Sequence, residues 1–118
     1  MVSVGDLENI IMQLESQNQH LQIVMSQKQS LMIQNKELER ALEEIEKLKD
    51  EDIFKSVGPI LVKTKKADIK KELEETKEDN ELKLKTMESQ EKRLKDKIKE
   101  NQEKFQELLP RHSEGHGG

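Results

Sequence analysis

The sequence contains no cysteine, tryptophan or tyrosine, and its only aromatic residues are Phe54 and Phe105. Without cysteine there is neither a disulfide framework nor a thiolate metal site. Hydrophobic residues make up 31% of the 118 residues and charged residues 39%. That is too little apolar surface for an ordinary compact globule. The enrichment in Glu, Lys, Leu and Gln instead favours long helices with a narrow apolar seam.

The sequence also lacks a long apolar run, and its N-terminus has no signal-peptide pattern. We therefore expect a soluble, cytoplasmic protein without a membrane partner. The formal net charge of -4 argues against general binding of nucleic acid. No residues are spaced as a phosphate-binding loop, a metal-ligand set or a nucleophile with its base, so we expect neither an enzyme nor a cofactor-binding protein.

Residues that break helices are scarce in the interior of the chain. Gly58 is the only glycine away from the ends, and the two prolines are Pro59 and Pro110. The chain is therefore interrupted at two places. This pattern predicts a single domain over residues 1–118, with a first coiled-coil helix at 6–50, a β-hairpin at 53–64, a second coiled-coil helix at 66–109 and a flexible tail at 110–118.

Apolar residues recur at alternating spacings of three and four along both predicted helices, which is typical of a coiled coil. The first seam consists of Leu7, Ile10, Leu14, Gln17, Leu21, Val24, Lys28, Leu31, Asn35, Leu38, Leu42 and Ile45. The second consists of Leu73, Lys77, Asn80, Leu84, Met87, Glu91, Leu94, Ile98, Asn101, Phe105 and Leu108. We interpret the polar seam positions as register control, with a buried functional network as the alternative. Matched helix lengths predict an antiparallel pair that places residues 2–14 beside residues 100–110.

The segment 53–64 differs from the rest because β-branched and apolar residues flank Gly58 and Pro59. Glycine at the first central position suits a type II′ turn, and the fixed φ of proline is compatible with the second. An isolated hairpin is marginal in water and exposes unpaired edges, so we expect it to complete a sheet with other subunits. The residues assigned to this assembly role are Ile53, Phe54, Val57, Gly58, Ile60, Leu61 and Val62.

The order of these segments resembles a known family. "QLESQNQHLQIV" and "ALEEIEKL" in the first helix are followed by "DIFKSVGPILVKT" and then by "KKELEE" at the start of the second. Together they resemble a prefoldin β subunit of the archaeal type over residues 7 to 109. Two departures are Phe54, where the family often has tyrosine, and Pro59 after Gly58.

The resemblance implies an ATP-independent molecular chaperone. Prefoldins assemble as hexamers of two α and four β subunits, with the hairpins joined in an intersubunit β-barrel platform. Their coiled coils hold unfolded proteins at the free ends, prevent aggregation and deliver the client to a group II chaperonin. The expected fold class is therefore mainly α, a long antiparallel two-helix coiled coil with one central hairpin. A structural coiled-coil adaptor that binds one folded partner is the alternative.

The helix ends remote from the hairpin carry more apolar side chains than a two-helix seam covers. Exposed apolar groups of this kind bind many unfolded segments weakly, and several coil tips acting together raise the avidity. An end cap of the coil is the alternative interpretation. The residues assigned to client binding at the coil tips are Val4, Leu7, Ile10, Ile11, Met12, Leu14, Phe105, Leu108 and Leu109.

Overall fold

The structure is a computed structural model that describes residues 4–109 of the chain. Two 43-residue helices flank an antiparallel hairpin, which confirms the expected fold class. The elements are α1 (Val4–Glu46), a short 3-10 turn (Asp50–Asp52), β1 (Phe54–Val57), β2 (Ile60–Lys63) and α2 (Lys66–Leu108). The predicted tail at 110–118 lies outside the described residues.

The backbone groups into two compact units. We call them the terminal unit, whose described residues are 4–26 and 88–109, and the hairpin unit, Gln27–Met87. In each unit a segment of α1 packs against a segment of α2. The two units are described separately below.

The apolar seams form the buried core of both units. Every seam position in the described chain is fully or partly buried, as expected when side chains repeat every 3.5 residues along paired helices. The most deeply buried apolar seam residues all lie in the terminal unit and are Val24, Leu94 and Ile98.

Buried amides interrupt the core of each unit and are hydrogen-bonded. In the terminal unit, Asn101 Nδ2 donates to Gln17 Oε1 at 3.0 Å and to Gln13 Oε1 at 3.3 Å. This contact brings residues 13 and 101 together, in agreement with the expected antiparallel pairing. The described part of the chain has no buried side-chain nitrogen or oxygen without a hydrogen-bond partner. Paired amides stabilise one register, because sliding a helix would leave them unsatisfied.

The hairpin unit has its own buried amide pair. Asn80 Nδ2 donates to Asn35 Oδ1 at 2.9 Å and to Gln34 Oε1 at 3.1 Å. One helical turn away from this pair, Lys77 Nζ lies 3.3 Å from Glu39 Oε1. Residue numbers therefore rise along α2 as their partners' numbers fall along α1, which is the antiparallel arrangement.

The first helix is shorter at its C-terminal end than the predicted span to residue 50. It ends at Glu46, and Asp50 turns away to accept a hydrogen bond at 2.9 Å from the backbone amide of Lys66, the first residue of α2. In return, Lys66 Nζ donates to the Glu46 carbonyl oxygen at 3.0 Å. Each helix end thus receives the charge that its dipole favours, an anion at the α2 N-terminus and a cation at the α1 C-terminus. These reciprocal contacts connect the end of α1 to the beginning of α2.

Candidate functional site

The hairpin strands pair in a register that the turn fixes. Val57 lies opposite Ile60 and Phe54 opposite Lys63, with Gly58 and Pro59 as the two-residue turn. Gly58 has φ +56°, and no other residue of the described chain has positive φ. Positive φ at the first central position alone is the pattern of a type II′ turn, as predicted.

Both faces of the hairpin are open to solvent. Because side chains alternate along a strand, Phe54 and Leu61 share one face, and Val57, Ile60 and Val62 share the other. All five are exposed, from 43% for Val62 to 71% for Leu61. Fully burying such a side chain is worth about 1.5–3 kcal/mol, so covering this hairpin would release several kcal/mol. These five neighbouring side chains give the hairpin an exposed apolar character on both faces.

The outer edges of the hairpin present backbone groups for pairing. In the described chain the sheet has only these two strands. The Thr64 amide donates to the Ile53 carbonyl at 3.1 Å, so opposed pairs alternate between bonded and non-bonded from that point. Ser56 and Leu61 then form a non-bonded pair, as do Phe54 and Lys63. The amides and carbonyls of these four residues point outward, where another strand could accept and donate hydrogen bonds.

Ile53 differs from the other residues assigned to assembly. Its side chain is only 5% exposed, so this chain itself covers it. Its carbonyl receives the Thr64 amide and closes the base of the hairpin. Ile53 therefore anchors the hairpin to its own chain rather than offering apolar surface to a neighbour.

Charged side chains attach the hairpin and α2 to the rest of the hairpin unit. Lys55 Nζ lies 2.7 Å from Glu72 Oε1, and Lys70 Nζ lies 2.6 Å from Glu46 Oε1. The hydrogen bond from Lys70 and its positive charge, with that of Lys66, lower the pKa of Glu46. The hydrogen bond and charge of Glu46 in turn raise the pKa of Lys70. These ion pairs are exposed, so solvent and salt screen them. They help to orient the hairpin and α2 but contribute little to the stability of the fold.

The terminal unit carries the second candidate surface. Val4, Ile11 and Met12 are exposed, with Val4 at 72% and Met12 at 66%. The other residues assigned to client binding are partly buried in the seam or beside it: Leu7, Ile10, Leu14, Phe105, Leu108 and Leu109. The residues assigned to client binding therefore comprise three exposed side chains and six partly buried ones.

An open groove lies beside two of these partly buried residues, Leu14 and Phe105. It has a volume of about 580 Å³ and is lined by Leu14 and Phe105 together with polar and charged residues of α2 from Lys99 to Glu107. Its apolar parts come from both helices, and its rim is charged.

Sequence reasoning missed a group of exposed apolar residues elsewhere on α1. Ile23 and Met25 in the terminal unit and Met32 and Ile33 in the hairpin unit are all exposed. The available signal was the scarcity of charge around them, since only Lys28 is charged between residues 16 and 35. The spacing of three and four residues identifies the buried seam positions and gives no information about the exposed positions between them.

Among residues 4–109, no helix is both long and apolar enough to span a membrane. Within the same range, no cluster of His, Asp or Glu side chains is arranged to hold a metal ion.

Known proteins resemble this chain over most of its length. The family model for "Prefoldin subunit" matches residues 8–111. A prefoldin subunit beta from Archaeoglobus fulgidus is 42% identical over 104 residues, which are 87% of this chain and 90% of the relative. One from Thermococcus onnurineus is 45% identical over 98 residues, covering 82% and 84% of the two chains.

A solved structure agrees as well. The crystal structure of the prefoldin beta subunit from Thermococcus strain KS-1 superposes with a TM-score of 0.78 at 40% identity. The match covers 88% of this chain and 93% of that one. Helices, hairpin and sequence are thus all shared with archaeal β subunits. The chain belongs to the prefoldin subunit family, a family of chaperones.

Proposed function

We propose that this chain is the β-type subunit of a hetero-oligomeric prefoldin that holds unfolded polypeptides and prevents their aggregation without ATP. The observation that carries the proposal is the exposed hairpin, with Phe54, Val57, Ile60, Leu61 and Val62 all open to solvent. A ribbon of two short strands is only marginally stable alone. Its covering surface therefore comes from neighbouring subunits.

Assembly proceeds through the hairpin edges. The outward backbone groups of Ser56 and Leu61 pair with strands of adjacent subunits, and the apolar faces enter the shared β-barrel platform. The partners are α-type subunits and further β subunits, two α and four β in the hexamer that the family resemblance implies. Gly58 permits the tight two-residue turn, because a φ of +56° is costly for residues with a Cβ.

Client binding takes place at the coil tips in the terminal unit. Val4, Ile11 and Met12 are exposed and contact apolar segments of the unfolded chain. The groove between Leu14 and Phe105 receives further apolar side chains. Single contacts of this kind are weak, and avidity from several subunits makes the complex last. The client then passes to a group II chaperonin in the cytoplasm.

The assembly step is tested by placing charges on one apolar face of the hairpin. Ile60→Asp with Val62→Asp removes apolar burial and introduces desolvated carboxylates into the proposed sheet. We expect the wild-type chain to sediment as a hexamer when mixed with an α-type prefoldin subunit, and the double variant to remain monomeric.

A matched control uses the same kind of change away from the hairpin. Leu82 on α2 is 63% exposed, close to the 58% of Ile60, so Leu82→Asp changes a comparable side chain outside the proposed interface. It should leave the hexamer intact. A hexamer formed equally well by the hairpin variant would show that the hairpin does not assemble the subunits.

A further inference from the structure

The strands of the hairpin are not packed against the helices of their own chain. Every residue of β1 and β2 is exposed, and among residues 47–65 only Ile53 is buried. The base of the hairpin is held by the hydrogen bond from the Thr64 amide to the Ile53 carbonyl. A ribbon with so few buried contacts keeps one angle to the helices only if polar contacts beyond its base fix that angle.

One ion pair supplies such a contact. Lys55 Nζ on β1 lies 2.7 Å from Glu72 Oε1 on α2. Within residues 4–109, it is the only hydrogen bond or ion pair between a strand and either helix. Charge-assisted hydrogen bonds of this length are strong among polar contacts, but an exposed pair adds little to the stability of a fold. The consequence of this pair is therefore geometric, because it ties the hairpin to α2.

The ion pair acts on one particular face of the hairpin. Lys55 lies opposite Val62, and Val57 lies opposite Ile60, so these four side chains share a face. The Lys55 side chain leaves the strand from this face to reach Glu72. The pair therefore ties the face with the three apolar side chains, rather than the opposite face, to the second helix.

Glu72 lies on a part of α2 that is itself attached to α1. The Asp50 carboxylate accepts the Lys66 amide at 2.9 Å, and Lys70 Nζ lies 2.6 Å from Glu46 Oε1. Glu72 follows within the first two turns of α2, so these contacts also hold its backbone in place. All of these residues belong to the hairpin unit. Within this unit, polar contacts lead from the end of α1 through the start of α2 to β1.

We infer that Lys55 and Glu72 are positioning residues for assembly, and that their ion pair holds the hairpin at the angle in which it meets the strands of neighbouring subunits. This inference rests on the proposed assembly through the hairpin and adds a polar contact on which the apolar interface depends. A hairpin already at the correct angle loses less orientational freedom when subunits associate. Without the pair, the competent orientation is less populated, and the apparent affinity falls in the same proportion.

The test compares the wild type with Lys55→Gln, with Glu72→Gln and with the exchanged pair, Lys55→Glu with Glu72→Lys. Each full-length chain is mixed with an α-type prefoldin subunit, and sedimentation velocity over a dilution series gives the subunit concentration at half assembly. We expect each single variant to need about twofold to fourfold more subunit at low salt, with a smaller difference at high salt. The exchanged pair should assemble nearly as well as the wild type, because it restores the contact within the chain.

The matched control is Lys95→Gln, which breaks an exposed ion pair with Glu91 at 2.9 Å within α2, away from the hairpin. It should leave half assembly unchanged. Chemical unfolding of each chain without the α-type subunit should give the same midpoint for the wild type and the single variants. A lower midpoint in the single variants would mean that the pair stabilises the fold, and would overturn a positioning role.

The remaining outcomes separate the inference from the proposed function. Equal assembly of Glu72→Gln and the wild type, or an equal loss in the Lys95→Gln control, would overturn the inference and leave assembly through the hairpin standing. An exchanged pair as weak as the single variants would overturn it too, and would show that Lys55 and Glu72 contact neighbouring subunits directly. A wild-type chain that does not assemble with the α-type subunit would overturn the proposed assembly, and the inference with it.

Discussion

The two helices have equal lengths and equivalent seams, but their outer surfaces differ. In α1, 11 of 43 residues are charged, whereas in α2 the number is 25 of 43. Among the described residues, seven large apolar side chains are exposed on α1 and only Leu82 on α2. Since both helices bury their seams alike, pairing does not require this difference. Outside the seam, α1 is therefore less charged and more apolar than α2.

Two leucines of α2 test whether the buried seam and the exposed outer surface contribute differently to stability. Leu94 is 8% exposed and Leu82 is 63% exposed. Leu94→Ala should lower the free energy of unfolding by about 2–4 kcal/mol, because it removes buried apolar surface and leaves a cavity. Leu82→Ala should change it by less than about 0.5 kcal/mol. Guanidinium unfolding followed by circular dichroism, at one fixed protein concentration, measures both.

Equal losses in the two leucine variants would mean that the outer surface of α2 is packed after all. In that case the contrast between the helices would disappear.

The buried amide pair of Asn35 and Asn80 is expected to contribute less to stability than a buried leucine. Asn80→Ala leaves the buried oxygen of Asn35 without its donor at 2.9 Å, and should cost about 1–3 kcal/mol. Asn35→Leu combined with Asn80→Leu removes both polar groups and should recover most of that loss. Chemical unfolding of the three proteins measures the difference. If the double variant is no more stable than Asn80→Ala, burial of unpaired amides is not the cause of the loss.

The smallest expected effect concerns the exposed ion pair between α1 and α2. The pKa of Glu46 is lowered, so the contribution of this carboxylate is present above the unfolded-state pKa of about 4.5 and is lost as pH falls through the folded-state value. The pKa of Lys70 is raised, so its contribution is present below about 10.5 and is lost as pH rises through its folded-state value.

Lys70→Gln should therefore lower the melting temperature slightly between about pH 6 and pH 9, and the difference from the wild type should shrink outside the window between the two pKa values. High salt should reduce it as well. A difference between the two proteins that is unchanged at pH 3 and at high salt would contradict an electrostatic origin.

The sequence was sufficient to predict the elements that depend on local spacing. Each residue of both predicted seams is fully or partly buried in the structure, because the spacing of three and four residues itself determines which side faces the partner helix. The turn was predictable too, since Gly58 and Pro59 favour the backbone angles of a type II′ turn.

Features that depend on long-range contacts were not predictable in this way. Beyond the end of α1 at Glu46, Asp50 accepts a hydrogen bond from an amide 16 residues later, a contact that helix periodicity does not encode. Ile53 was grouped with the exposed hairpin residues because its type is the same, and only the packing of the chain separates it from them. The surface on α1 was missed for a different reason. Its signal is an absence of charge rather than a repeated motif.

We propose that these helices and their hairpin form part of a chaperone for unfolded chains, and a light-scattering assay of aggregation is the decisive test. The chain, assembled with an α-type prefoldin subunit and without nucleotide, is added to several unrelated proteins diluted from denaturant. We expect the aggregation of all of these proteins to be suppressed. Unchanged aggregation, together with saturable binding to a single folded protein, would contradict it and identify a structural adaptor instead.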